Sequence, residues 1–147
     1  MHMRQSAAFT LMEILVVLFI IGFLLAFIGP RIYRRIAQSN VAVTKLTMQK
    51  IKNALIEYKQ HVGHFPNKKE GGLRALIERP TIRGVAEKWQ GPYLDSEDDL
   101  QDKWGYDFEF NVPPQRDNNL RFFEIVSFGA DGLEGGEGEN QEIYIGI

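Results

Sequence analysis

The run from Phe9 to Gly29 constrains this chain more than any other feature. Across those 21 residues only Thr10 and Glu13 are conspicuously polar. At a helical rise of about 1.5 Å per residue the run spans about 30 Å, the thickness of a bilayer's hydrocarbon core. Backbone groups in hydrocarbon have to satisfy one another, so the segment is expected to be helical. A cleaved secretory signal would have a shorter apolar core ending in a small-residue site. This run instead leaves through Gly29-Pro30-Arg31-Ile32-Tyr33. A core helix of a soluble protein would carry more polar residues along one side. The segment therefore reads as a membrane-spanning helix.

Glu13 is what an ordinary anchor does not explain. A carboxylate at mid-span costs about 2.5–3.5 kcal/mol on insertion scales, and less near a helix end. No Lys or Arg lies within one turn of Glu13. Its partner has to come from another chain or from a newly exposed amine.

The residues around it, Ala8-Phe9-Thr10-Leu11-Met12-Glu13 followed by Ile14-Leu15-Val16-Val17, resemble the prepilin signal of type IV pilins and pseudopilins. The resemblance implies a leader at 1–8, removed by a prepilin peptidase between Ala8 and Phe9, with N-methylation of Phe9. It makes 9–30 the membrane and assembly helix and 31–147 a periplasmic head. It also pairs Glu13 with the terminal amine of a neighbouring subunit. The family usually has Gly where this chain has Ala8. Charge alone argues for the opposite topology, because Arg31, Arg34 and Arg35 follow the span and cations favour the cytoplasmic side.

Beyond Pro30 the helical pattern continues. Met48, Ile51, Leu55, Tyr58 and Val62 recur at gaps of three and four, which defines one apolar face, and Lys50, Lys52, Asn53, Glu57 and Lys59 fall on the other side. Gly63 and Pro66 supply a stop. His61 and His64 stand three apart there without a third ligand nearby, which favours surface residues over a metal pair. Leu73–Glu78 reads as a short helix ended by Pro80. The aromatics Trp89, Tyr93 and Trp104, set among Pro and Gly, read as cover for a core.

Three strands are expected next. Phe108, Phe110 and Val112 alternate with Glu109 and Asn111, Phe123 and Ile125 flank Glu124, and Glu142–Ile145 supplies a third. A small antiparallel sheet packed on the amphipathic helix face gives an α+β head.

The C-terminal stretch from Phe122 has six carboxylates and no Lys or Arg. Five of them fall within Asp131–Glu142, among Gly132, Gly135, Gly136 and Gly138. Glycines let such a loop fold back and bring oxygens together. Composition leaves two readings open: a solvated acidic loop, or an oxygen site for Ca²⁺, which takes six to eight oxygens in flexible geometry. The alternating ligands of an EF-hand are not present.

Ser127-Phe128-Gly129-Ala130-Asp131-Gly132 and Gly135-Gly136-Glu137-Gly138 are similar to the loop of the major pseudopilins of type II secretion. Gly72-Leu73-Arg74-Ala75-Leu76 and Asp102-Lys103-Trp104-Gly105 match two further segments of that family. The resemblance implies a calcium ion held by the Asp131 side chain and the Phe128 and Leu133 carbonyls. It adds Asn140 and Glu142, with Glu139 as a substitute, where the family has two aspartates. It further implies a structural subunit that polymerises through its apolar helix into a periplasmic fibre driving export of folded proteins. The implied partners are copies of itself, minor pseudopilins, the peptidase, an inner-membrane assembly platform and, before assembly, membrane lipid.

Composition narrows the rivals. With Cys 0 the chain has no disulfide and no thiol chemistry, and a net charge of -2 argues against a nucleic-acid binder. A type IV pilin or a DNA-uptake pseudopilin is the alternative. An anchored enzyme would need a nucleophile set, and Ser127 lies in Ser-Phe-Gly, outside any nucleophile elbow.

Overall fold

The computed structural model describes residues 9–147, so Ala8 and the rest of the expected leader lie outside the described residues. The first element is helix α1, Leu11–Val62, 52 residues long with Pro30 inside it. By contacts the chain divides into two compact units, one ending at Ala37 and one running from Gln38 to Ile147.

In the first unit the helix presents apolar side chains on every side. Leu11, Phe19, Phe23, Leu25 and Phe27 are all exposed, and the apolar window within α1, with a mean hydropathy of 3.0, buries none of its residues within the chain. Such a surface needs lipid or other helices around it.

In the second unit α1 becomes one-sided. Met48, Ile51, Ala54, Leu55, Tyr58 and Val62 are buried, as their three- and four-residue spacing predicts. The opposite side is less plainly solvated than the pattern suggests. Lys52 donates to the Gly146 carbonyl at 3.0 Å, and the Lys59 ammonium lies 4.7 Å from the Phe65 ring centre and 4.4 Å from that of Phe122. Both lysines lay long apolar stems along the head.

After α1 the chain runs through short turns. The expected helix at Leu73–Glu78 is a 3₁₀ helix over Gly72–Leu76, tighter and ending before Glu78. A further 3₁₀ turn, Lys68–Glu70, is capped by Asn67, and a four-residue helix α2 spans Arg83–Ala86. Both are too short to leave a periodic signal. Trp89 is buried and donates its indole N–H to the Ala75 carbonyl at 2.7 Å, so the aromatic does cover the core.

The sheet is antiparallel, with strands β1 (Glu109–Asn111), β2 (Glu124–Ser127) and β3 (Ile143–Gly146) in spatial order β1-β2-β3. The register sets Phe110 opposite Ile125, and Ile125 opposite Ile145. Phe123, Ile125, Phe108 and Ile143 join the face of α1 in one core. The α+β architecture is therefore the one expected. Strand polarity is not. Val112, expected inside, is exposed, while Asn111 and Glu124, expected outside, are buried. All four residues of β2 are buried, because this central strand is covered on both faces. A polar network, described below, makes that burial tolerable.

Candidate functional site

Two regions hold the residues singled out above: the start of α1 and the acidic loop. At the start of α1, Thr10 caps the helix. Its Oγ1 accepts the Glu13 backbone N–H at 3.2 Å, satisfying one of the donors a helix N-terminus leaves free. The Thr-x-x-Glu spacing is the familiar N-terminal signature, and it could have been found in the sequence. Phe9 and Glu13 are both exposed, and among the described residues no cation pairs with the Glu13 carboxylate.

The acidic loop is anchored by two of the motifs. Asp102 is buried, and its Oδ2 accepts the Ser127 hydroxyl at 2.6 Å. Its Oδ1 accepts the backbone N–H groups of Trp104 and Tyr106, each at 3.0 Å. Ser127 in turn accepts the Gly129 N–H. One carboxylate thus ties the Asp-x-Trp-Gly turn to the strand end from which the loop departs. The turn also reaches α1, where Thr44 Oγ1 accepts the Lys103 N–H at 3.2 Å.

The two ends of the loop meet. The Ala130 N–H donates to the Glu139 carbonyl at 2.9 Å. Gly129 has φ +75°, and a Cβ there would stand 2.5 Å from the same carbonyl oxygen, so only glycine allows this approach. Gly132, at φ +67°, packs against the Tyr106 ring, 2.8 Å from where its Cβ would be. Asp131 and Leu133 form a local turn in which the Leu133 N–H donates to Asp131 Oδ1 at 3.1 Å. Glu142 Oε1 accepts the Gly135 N–H at 3.0 Å across the loop. Asn140 lies where a Cβ on Gly136 would meet its carbonyl oxygen at 2.6 Å.

The structure therefore brings Asn140 and Glu142 back over the glycines and sets Glu139 beside Gly129. Asp131 stays exposed at the outer turn. Among the described residues no three Asp, Glu, His or Cys side chains converge as a metal-binding group. The carbonyls and carboxylates of the loop are of the ligand class a hard cation takes.

The loop's charge is offset from outside the stretch that contains it. Arg116 Nη2 binds Glu134 Oε1 at 2.9 Å, and Nη1 binds Glu109 Oε1 at 3.0 Å and lies 3.6 Å from Glu124 Oε1. Its guanidinium also stands 5.3 Å from the Phe128 ring centre. Burial pushes the Glu124 carboxyl upward, but the backbone N–H groups of Arg116, Gln115 and Asp117 and the Asn111 side chain outweigh it, and the net shift is downward. Glu109 is held below its ordinary value first by the Asn111 amide and then by Arg116, against burial. Arg116 itself is raised, chiefly by Glu109. Two of the six C-terminal carboxylates, Glu124 and Glu134, are therefore paired. Sequence reasoning missed this hub, because a turn arginine gives no local sign of which distant acids it will reach.

The two histidines do not share a site. His61 Nδ1 is 3.0 Å from the Tyr93 hydroxyl, and His64 Nε2 is 2.7 Å from Glu70 Oε1. Glu70 is buried and also binds the Tyr58 hydroxyl at 3.3 Å. Burial first, and then the Glu70 charge, raises the Tyr58 phenol.

An exposed apolar helix that begins with a capped Thr-x-x-Glu turn, joined to a small α+β head, is the build of a pilin-like subunit. Residues 3–29 match the prokaryotic N-terminal methylation motif. Residues 31–145 match the family described as type II secretion system (T2SS), protein G, and the chain belongs to that family. Its relatives include the type II secretion system core protein G of Pseudomonas aeruginosa, 34% identical over 144 residues, covering 97% of this chain and 96% of the relative. The Vibrio cholerae protein of the same description is 32% identical over 143 residues, covering 96% and 92%. The crystal structure of the major pseudopilin from the type 2 secretion system of enterohaemorrhagic Escherichia coli shares the fold. It gives a TM-score of 0.56 at 23% identity, covering 72% of this chain and 84% of that one. Family membership favours a core protein of type II secretion over the type IV pilin or DNA-uptake alternative.

Proposed function

We propose that this chain is the major structural subunit of a type II secretion pseudopilus, without catalysis of its own, and that it polymerises through α1 to drive export of folded proteins across the outer membrane. One observation carries the reading: an exposed apolar helix surface bearing one carboxylate, one turn from Phe9, that has no cation partner among the described residues, in a chain of the protein G family. Cleavage after Ala8 would place an ammonium on Phe9, which is then methylated. In the low dielectric between packed helices, that ammonium and the Glu13 carboxylate of a neighbouring copy attract strongly. Before assembly the same surface lies in lipid, in the inner membrane, with the head in the periplasm. Minor pseudopilins, the peptidase and an assembly platform complete the partners.

The test is a strain lacking this gene. Export of folded proteins should stop and should return with the wild-type chain. Loss of twitching or DNA uptake with export intact would reject the secretion role.

The acidic loop is proposed to hold calcium. Asp131, Asn140 and Glu142, with Glu139 in reserve, would supply side-chain oxygens, and Phe128 and Leu133 would supply carbonyls. The closed loop ends, which bring Glu139, Asn140 and Glu142 back toward the glycines, support the reading. The ion would supply positive charge that relieves repulsion among carboxylates not already paired by Arg116. Calcium at about 100 times its Kd should stabilise the head by about 2.7 kcal/mol. A melting temperature unmoved by excess chelator would remove calcium from the account.

A further inference from the structure

Arg31, Arg34 and Arg35 follow the apolar run directly and are all exposed on α1. We propose that these three arginines form a phosphate-binding collar for anionic phospholipid headgroups at the membrane surface where the head emerges. The proposal rests on the membrane-spanning reading of α1 and deepens it, by naming the lipid chemistry recognised.

Three observations carry it. The first is placement on the helix. At 100° per residue, Arg31, Arg34 and Arg35 fall within an arc of about 100°, with Leu24 and Phe27 in that arc and Ile28 about 20° outside it, one to two turns earlier. Those three apolar side chains are exposed. A stripe that faces acyl chains therefore runs straight into guanidinium groups.

The second is depth. Along the helix, Arg31, Arg34 and Arg35 stand about 3, 7.5 and 9 Å beyond Gly29. The polar layer of one leaflet is roughly 5–8 Å thick, so a span that ends at Gly29 sets the arginines at the level of the phosphates.

The third is that the charges are uncommitted. None of the three pairs with a carboxylate among the described residues. Glu13 is the sole acid in the described part of this unit, 18 residues before Arg31 or about 27 Å along the helix. A guanidinium presents a planar fork of donors that matches a phosphate, and Arg is weakly hydrated enough to work at an interface. The collar would set the depth of the subunit before assembly.

The full chain, reconstituted in nanodiscs of phosphatidylcholine with or without phosphatidylglycerol, tests this by native mass spectrometry of retained lipid. Each surface cation is worth about 1 kcal/mol toward an anionic lipid, so the wild-type chain should favour phosphatidylglycerol by roughly 100-fold. The variant R31Q/R34Q/R35Q should lose most of that preference. R31K/R34K/R35K should keep the charge-driven part and lose the forked contacts. Resistance to alkaline extraction, measured on the same samples, reports insertion separately.

An inserted glutamine variant that keeps the wild-type preference overturns the collar, as does a wild-type chain without one. Displacement of the lipid by inorganic phosphate would assign the arginines to a free anion and overturn the lipid reading. Unchanged lipid preference with lost assembly would assign them to the acidic head of a neighbouring copy, with the same result. Chains that fail to resist extraction would instead bring down the membrane-spanning reading, and the collar with it.

Discussion

Helix α1 contains two regions that obey opposite rules. Through Ala37 it turns large apolar side chains outward in every direction, and from Gln38 it buries a single face. The backbone geometry is helical in both. The difference teaches that helix formation and helix solvation are separate matters. The later region draws its stability from its own chain, through contacts of Met48, Ile51, Leu55 and Tyr58 with the sheet core. The earlier region has its backbone bonds, the Thr10 cap and a Phe23–Phe27 ring contact within the helix, but its apolar surface depends on lipid or on other copies.

That contrast breaks most sharply at Phe123. Its side chain is fully buried beside Phe65 and Phe110, and Phe123→Ala should cost the head about 3–5 kcal/mol in chemical denaturation. Membrane insertion of the same variant should be unchanged, since the early helix region makes no use of that core.

Arg116→Ala should come next, at about 3 kcal/mol, because it strips the cation from a Glu124 whose side chain is fully buried. Glu124→Gln in the same background should recover part of the loss, measured in the same denaturation series. Recovery would show that the buried charge is at fault and not the missing arginine stem.

Glu13→Ala should do the reverse of Phe123→Ala. The head should melt as wild type, while the subunit concentration needed to form fibres should rise by about tenfold or more, equivalent to about 1.4 kcal/mol per subunit added. Fibres forming normally from this variant, counted by electron microscopy, would reject the pairing.

The smallest effect is a pH dependence confined to the head. Glu109 and Glu124 both have carboxyl pKa values lowered by folding from an ordinary 4.5. A depressed carboxyl contributes stability that is present above its unfolded value and is lost as pH falls through the folded one. The melting temperature should therefore hold near neutrality and decline below about pH 4.5. In Arg116→Ala that decline should be shallower, because part of the depression is gone.

Much of this architecture is legible in the amino-acid sequence. Three- and four-residue spacing located the buried face of α1, and two-residue alternation located the strands, because both patterns reflect local backbone geometry. The alternation failed at Asn111, Val112 and Glu124. At Glu124 a two-residue period assumes one wet face and β2 has none; Asn111 turns in to donate to Glu124, and Val112 lies past the end of β1. The short turns at Lys68–Glu70 and Arg83–Ala86 were missed for want of length. At the site, Glu13 stood out as an acid in an apolar run, Phe9 through the resemblance to the prepilin signal and the glycine-rich loop by composition, while the clasp between Asp102 and Ser127 did not, since 25 residues separate the pair.

The sequence by itself determined that this chain has a span-length apolar helix with one acid near its start, an amphipathic continuation and a small sheet. Those properties depend on residue type and on spacing within a few turns. Only the tertiary structure decided that Arg116 gathers Glu109, Glu124 and Glu134, that Asp102 holds the base of the loop, and that Glu139 returns to meet Ala130. Each of these contacts joins groups from different strands, turns or loop ends, at separations that match no helix or strand period. Charge and hydrogen bonding act through space at a few ångströms, and no local pattern records which distant partners folding will bring within that reach.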